Sequence, residues 1–214
     1  FVDAIKILNK LKADYWICHG TLLGIMRDRS LISWDNDIDI GTWNINNKKK
    51  IINSFIRQGF KYKKKYFGHN NLISFERNKH RIVDINFYEI DKLGKNCFQR
   101  HYAIRNLFCR LVYVLSVSKS YKGKFSSLIN FFQFTSNFFK FLKKYLEKKK
   151  NFYVDAGFKT NIFYFKLIKS IKFYNVSVRI PIFYKRYFND LYGKNWNIPD
   201  KKYYWEKNKN KKIL

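Results

Sequence analysis

Apolar positions near the start of the chain recur every third or fourth residue and then every second. That change of period sets out the elements. Val2, Ile5, Ile7, Leu8 and Leu11 fall at near-helical spacing and predict an amphipathic helix. Tyr15 to Cys18 is a continuous apolar run, a short buried strand that delivers the next turn. Leu22, Leu23, Ile25 and Met26 give a short second helix its buried side, with Gly20 in the turn before it and Thr21 as its predicted N-cap. From Asp35 the period becomes two. Asp37 and Asp39 then share one face of a strand, about 6.6–7 Å apart, while Ile38 and Ile40 point into a core. A further helix is predicted over 46–58, burying Ile51, Ile52, Phe55 and Ile56 and stopped by Gly59. Strand-like segments at 60–67, 72–77 and 81–88 follow. A helix and strand alternation running into several strands predicts an α+β fold with a mixed sheet and flanking helices.

The character changes from Arg100. A helix is expected over the stretch containing Arg105, Leu107, Phe108, Leu111, Val112 and Leu115, broken around 119–123. In 125–142, Leu128, Phe132, Thr135, Phe138, Phe139 and Leu142 fall on one side at helical spacing, and the segment ends in KKYLEKKK. A core-packing helix with a solvated end is the ordinary interpretation; an interfacial membrane helix is the alternative. Near the end, Pro181 is expected to begin a helix, Gly193 to cap it, and Trp196 with Pro199 to pack its exit. The last residues, KNKNKKIL, are expected to be disordered. The predicted organisation is a core over 1–100 with a mainly helical C-terminal part over 101–214 packed on it, a single domain overall.

Composition changes the picture in two ways. The 214 residues are 46% hydrophobic and 28% charged, ordinary for a globular chain, but the net charge is +29. Such a balance suits nucleic acid, anionic lipid, nucleotide or glycan. The abundance of Lys, Asn, Ile, Phe and Tyr beside scarce Gly and Pro also fits the codon drift of an A+T-rich genome. Tyr and Phe lie in apolar-periodic segments instead of exposed stacking patterns, so nucleic acid is not the expected partner. Three cysteines, Cys18, Cys97 and Cys109, without C-x-x-C spacing argue against a disulfide framework or structural zinc and for a reduced, cytoplasmic setting. His19, His69, His80 and His101 show no zinc-ligand spacing; His19, beside Gly20, either lines a site or is a hydrogen-bonded structural histidine. No signal peptide is expected, and a chain opening on Phe1 suggests a trimmed start. No stretch reaches the eighteen or so apolar residues of a membrane span, so membrane contact would be peripheral.

The chemistry concentrates between Cys18 and Gly41. Carboxylates held as close as Asp37 and Asp39 repel unless a cation sits between them, and hard divalent ions are bound by one or two carboxylates plus substrate phosphates. The helix that begins near Gly20 and Thr21 offers free N–H groups and a dipole to an anion. An anion site followed directly by a carboxylate pair is the functional interpretation; an ordinary cap and a solvated strand face are the structural one.

The same residues carry a resemblance. HGTLLGIMR followed by SLISWDNDIDIG is similar to the LicD/fukutin-related phosphotransferases, whose pattern runs GTLLG-x-x-R and then I-P-W-D-D-D-I-D. Ser33 replaces the proline and Asn36 an aspartate, leaving the alternating acids untouched. Residues 179–200 echo the closing segment of such proteins more weakly, and the poorly matched middle, about 100–176, is where acceptor choice is expected. The resemblance implies a nucleotidyltransferase-like fold and Mg²⁺- or Mn²⁺-dependent transfer of phosphocholine or a polyol phosphate. The donor would be CDP-choline or a CDP-polyol and the acceptor a glycan or glycolipid, as in lipopolysaccharide or teichoic acid synthesis. It implies that Asp37 and Asp39 hold the metal. Asp84, on the strand-like segment R-I-V-D-I-N-F-Y, would be the third carboxylate, as ligand or general base. His19, Gly20, Thr21, Arg27, Trp34 and Asp35 are the expected substrate-binding residues. Arg27 either clamps phosphate or pairs with Asp28 or Asp35, and Asp35 either joins the ligands or fixes the turn beside Trp34. The alternatives are nucleotidyl transfer to a small molecule or RNA end, and a non-catalytic basic nucleic-acid binder.

Overall fold

The structure is a computed structural model and describes residues 1–43, 48–63, 71–78, 80–99, 102–116, 126–149, 151–155 and 158–203. In chain order the elements are α1 (Val2–Lys10), β1 (Tyr15–Ile17), α2 (His19–Arg27), β2 (Asp37–Thr42), α3 (Lys48–Arg57), β3 (Lys61–Lys63), β4 (Leu72–Glu76), β5 (Ile82–Phe87), β6 (Glu89–Ile90), β7 (Asn96–Gln99) and β8 (Tyr102–Ile104). There follow α4 (Leu107–Ser116), α5 (Ser126–Phe131), a 3-10 turn (Phe132–Thr135), α6 (Ser136–Lys148), β9 (Tyr153–Asp155), β10 (Phe158–Asn161), α7 (Phe163–Lys166), β11 (Ile168–Phe173), β12 (Val176–Pro181) and α8 (Tyr184–Tyr192). The chain forms two compact units, Phe1–His101 with Gly157–Ile213, and Tyr102–Ala156. The expected C-terminal part is thus divided: the chain leaves the first unit at 102 and returns to it at 157.

A five-stranded mixed sheet in the order β1-β2-β5-β4-β3 organises the first unit. Its one parallel pair is β2 with β5, and the antiparallel hairpin geometry is not open to parallel neighbours, so a crossover through α3, β3 and β4 joins them. The alternation read from the sequence holds in β2: Ile38 and Ile40 are fully buried while Asp37 and Asp39 are only half-buried. Trp16, on β1, lies directly opposite Gly41 on β2. A Cβ at position 41 would stand 2.5 Å from the Trp16 indole, so only glycine leaves room for the ring. The indole packs against Phe165, Trp43 and Tyr88 at 4.9, 4.6 and 5.3 Å, and is wholly buried. Beyond the sheet, β11 and β12 form a hairpin whose two turn residues, Tyr174 and Asn175, both have positive φ (46° and 61°), as a two-residue type I′ connection requires. A second, three-stranded sheet has the order β10-β7-β6.

Several expectations shift. Ile56 on α3 is 49% exposed, since Ile51 and Phe55 already fill the buried stripe. Gly59 has φ of 80° and ends that helix as predicted. Pro181 closes strand β12 instead of opening a helix: Val176, Val178 and Ile180 alternate inward, a period of two that outweighs the proline signal. Gly193 does end α8, and Trp196 packs on Phe188 at 5.0 Å, whereas Pro199 is exposed. Besides α4–α8, residues after 101 contain the five strands β8–β12. Asn46, His69, His101, the segment 119–123 and the tail 207–214 lie outside the described residues.

The second unit has a small core. Cys109, Val112 and Phe152 are buried, with Tyr113, Phe139, Leu142 and Leu146 packed around them. Strands β8 and β9 pair antiparallel. The single amphipathic helix expected over 125–142 is broken into α5, the 3-10 turn and α6, and Leu128 and Phe138 of its predicted buried side are 58% and 62% exposed.

Candidate active site

Two hydrogen bonds fasten the turn before α2 to strand β2. The Cys18 amide donates to the Asp39 carbonyl (3.2 Å), and the Asp39 amide donates to the Thr21 hydroxyl (2.8 Å). Thr21 is therefore inside the first turn, not the cap; extended Cys18 holds that position. The consequence is geometric: Asp39 is held against the N-terminal end of α2. Asp35 also reaches that end. A Cβ on Gly20 would collide with the Asp35 carboxylate, so the missing side chain makes room for the protein's own acid. A carboxylate there is favoured by the helix dipole.

Parallel pairing supplies the next acid. Asp39 on β2 lies in register with Asp84 on β5, and registered partners project from the same face. Asp84 is 7% exposed. Burial, followed by the charges of Asp37, Asp84 and Asp35, pushes the Asp39 carboxyl well above the ordinary carboxylate range. Asp39 thus lies within electrostatic reach of the other three acids. Among the described residues no three His, Cys, Asp or Glu side chains form a ready-made metal cage. Ser74 on β4 pairs with Asp84 from the other side, extending the row to Asp39–Asp84–Ser74. The Ser74 hydroxyl is buried, with no hydrogen-bond partner among the described residues.

A polar chain runs from Asp39 into the first unit. Asn86 Nδ2 donates to Asp39 Oδ1 (3.5 Å), Gln99 Nε2 donates to Asn86 Oδ1 (2.6 Å), and Gln99 Oε1 faces His19 Nε2 (2.6 Å). The Tyr88 hydroxyl lies 3.2 Å from Gln99 Oε1 and 3.1 Å from His19 Nε2, and the Tyr187 hydroxyl 3.1 Å from His19 Nδ1. Gln99 Nε2 donates to Asn86, which leaves Gln99 Oε1 as an acceptor facing His19. His19 Nε2 is then the donor to Gln99, and Nδ1 accepts from Tyr187. His19 itself has φ of 48°, a left-handed conformation held by these contacts.

The expected site residues divide as follows. Asp35, Asp37, Asp39, Asp84, Gly20 and Thr21 are brought together, and His19 joins them through the amide chain. Arg27 pairs in a two-pronged contact with Asp28 (2.7 and 2.8 Å), one of the partners expected for it. Trp34 is 42% exposed, with Lys201 Nζ 5.1 Å over its ring. Sequence reasoning missed Ser74, Asn86, Gln99, Tyr88 and Tyr187. Asn86 and Tyr88 had a signal: they stand two and four residues after Asp84 in the predicted strand 81–88 and so share its face.

The site thus sets acids on adjacent parallel strands beside a Gly-Thr helix start. Residues 12–110 match the family model described as "LicD/FKTN/FKRP, nucleotidyltransferase domain". Human ribitol-5-phosphate transferase FKTN is 36% identical over 63 residues, 29% of this chain and 14% of that protein. An uncharacterized protein of Rickettsia prowazekii (strain Madrid E) is 46% identical over 39 residues, 18% of this chain and 15% of that one. The matched segments therefore span about one seventh of these relatives' length. The crystal structure of lincosamide antibiotic adenylyltransferase LnuA with lincomycin bound has a TM-score of 0.43 at 9% identity, covering 84% of this chain and 77% of that one.

Proposed function

We propose that the chain transfers a phosphate-bearing group, phosphocholine or a polyol phosphate, from a CDP-linked donor to a glycan hydroxyl. The observation that supports this most is the register pairing of Asp39 with Asp84, with Asp37 and Asp35 close enough to raise the Asp39 carboxyl as well. Groups whose ionisation is opposed by burial and like charge are expensive to keep unless a cation or a reaction uses them. The donor set fits Mg²⁺ or Mn²⁺ in the manner of a cation held by one or two carboxylates with the remaining positions left for phosphate oxygens and water. Asp37 and Asp39 would be the ligands, with Asp84 shared or free to act as base. When bound, such an ion neutralises charge on the transferring phosphate and on its leaving group.

The residues have these roles in the proposal. Asp84 accepts the proton of the glycan hydroxyl as its oxygen bonds to the phosphorus bearing choline or polyol. The bond from that phosphorus to the CMP oxygen breaks, and CMP leaves. The first turn of α2, at Gly20 and Thr21, orients Asp35 and Asp39 towards the metal and its donor phosphate. Asn86, Gln99 and His19 hold the Asp39 carboxylate in place. Trp34, on the surface beside Asp35, is available to the donor base or acceptor sugar.

Incubation with Mg²⁺ and labelled CDP-choline, CDP-ribitol, CDP-glycerol or nucleoside triphosphates tests the proposal. CMP release from a CDP-linked donor is expected. Release of pyrophosphate from a triphosphate, with no turnover of any CDP donor, would replace it by nucleotidyl transfer. A pH–rate profile of Asp84→Asn should lose its acidic limb; an unchanged profile removes the base assignment.

A further inference from the structure

The second unit carries an apolar surface that its own core leaves unused. On α6, Phe139, Leu142 and Leu146 form the stripe packed on Cys109, Val112 and Phe152. The neighbouring stripe, Phe138, Phe141 and Tyr145, is 62%, 70% and 51% exposed. Phe131 and Phe134, just before the helix, are 71% and 77% exposed. Leu111, Leu128 and Phe132 border an open apolar cleft of about 690 Å³ at the same place. An exposed apolar surface of this extent marks an interaction site.

Charge identifies the occupant. Lys140, Lys144 and Lys148 are exposed at four-residue spacing, forming a stripe that borders the exposed aromatic one on the side away from the core. Residues 102–156 hold eleven Lys and Arg against two acids, Glu147 and Asp155. Glu147 is itself engaged by Lys143 at 3.6 Å and by the Tyr153 hydroxyl at 2.7 Å. Aromatic rings beside a lysine row that can reach upward suit a headgroup layer with anionic phosphates. Among the described residues no helix is long and apolar enough to cross a membrane, so the contact is with its surface.

We infer that the segment 126–149 docks on an anionic phospholipid bilayer. Phe131, Phe134, Phe138 and Phe141 enter the acyl boundary, and Lys140, Lys144 and Lys148 meet lipid phosphates. The inference goes beyond the transferase proposal and stands without it.

The test is flotation of the full chain with phosphatidylcholine vesicles and with vesicles of equal parts phosphatidylcholine and phosphatidylglycerol. The chain should float with the anionic vesicles only, and added salt should weaken the association. The pairs Phe134→Ser with Phe141→Ser and Lys144→Glu with Lys148→Glu should each reduce binding by about tenfold or more, with unchanged circular dichroism and Tm. No flotation with anionic vesicles overturns the inference, as does binding undiminished in both paired variants. Concentration-dependent self-association that the phenylalanine pair abolishes, without vesicle binding, assigns the surface to a second copy instead. CMP release from a soluble donor, read in the same samples without vesicles, reports separately on transfer.

Discussion

The two compact units put the same kinds of residue to opposite uses. In the first, aromatic rings are core: Trp16 is wholly buried among Phe165, Trp43 and Tyr88, and Phe55 stacks on Phe75 at 4.2 Å. Polar groups there are drawn inward around four aspartates. In the second, the rings outnumber the places to bury them, and Phe131, Phe134 and Phe141 face solvent beside lysines. The aromatic content of 20% and the charge of +29 belong to the whole chain, yet each unit distributes them to a different end. Composition therefore bounds what the protein can meet, and placement decides where it meets it. An acid cluster inside so positive a chain is the informative exception.

The contrast can be broken or sharpened by substitution. The largest effect should come from Asp39→Ala, which is expected to lower transfer by about a thousandfold or more while leaving the fold intact; retained transfer at wild-type rate would detach the acid row from the chemistry. Next is Trp16→Ala in the first unit, which should cost about 3–5 kcal/mol in denaturant unfolding, against roughly 0.5 kcal/mol or less for Phe141→Ser in the second. Similar costs at the two positions would mean that the exposed ring is a structural one. Gln99→Leu interrupts the chain between Asn86 and His19 and should reduce transfer about 10–100-fold, the scale of losing an outer hydrogen-bonding shell.

The smallest effect is on stability and has the opposite sign. The Asp39 carboxyl is raised by burial and by Asp37, Asp84 and Asp35. A raised acid favours the folded state most when protonated, so its contribution is present below the ordinary carboxylate range and is lost as pH rises through the elevated value. Asp39→Asn removes that loss. Its Tm near neutral pH should exceed wild type by about 2–4 °C, the scale of 1 kcal/mol in a chain this size. The difference should shrink as pH falls and vanish below the ordinary carboxylate range. A lower Tm for the variant at neutral pH would show that Asp39 is stabilised by contacts outweighing the repulsion.

Much of the first unit was legible from period alone. Asp37-Ile38-Asp39-Ile40 repeats with period two, and burying one face puts both acids on the other; no tertiary knowledge is required. Asp84 needed more, because its meeting with Asp39 depends on a parallel register that no local pattern encodes. Ser74 and Gln99 were invisible for the same reason: each reaches the site through strand pairing or a long-range hydrogen bond. Thr21 looked like a cap because Ser and Thr cap helices by type, yet the strand beside it took the hydroxyl. Tertiary packing also overrode Pro181, whose segment alternates as a strand. In the second unit, helical spacing predicted one buried side where the chain has too small a core to cover it.

In the proposed mechanism, Asp39 and its neighbours form a divalent-cation site completed by donor phosphate. Mn²⁺ titration followed by electron paramagnetic resonance, with and without CDP-choline or CDP-ribitol, tests it without needing the acceptor. Wild type should bind Mn²⁺ weakly alone and about tenfold or more tightly with a CDP-linked donor, and Asp39→Asn should lose that enhancement. Equal Mn²⁺ binding by wild type and Asp39→Asn, with or without donor, would contradict it.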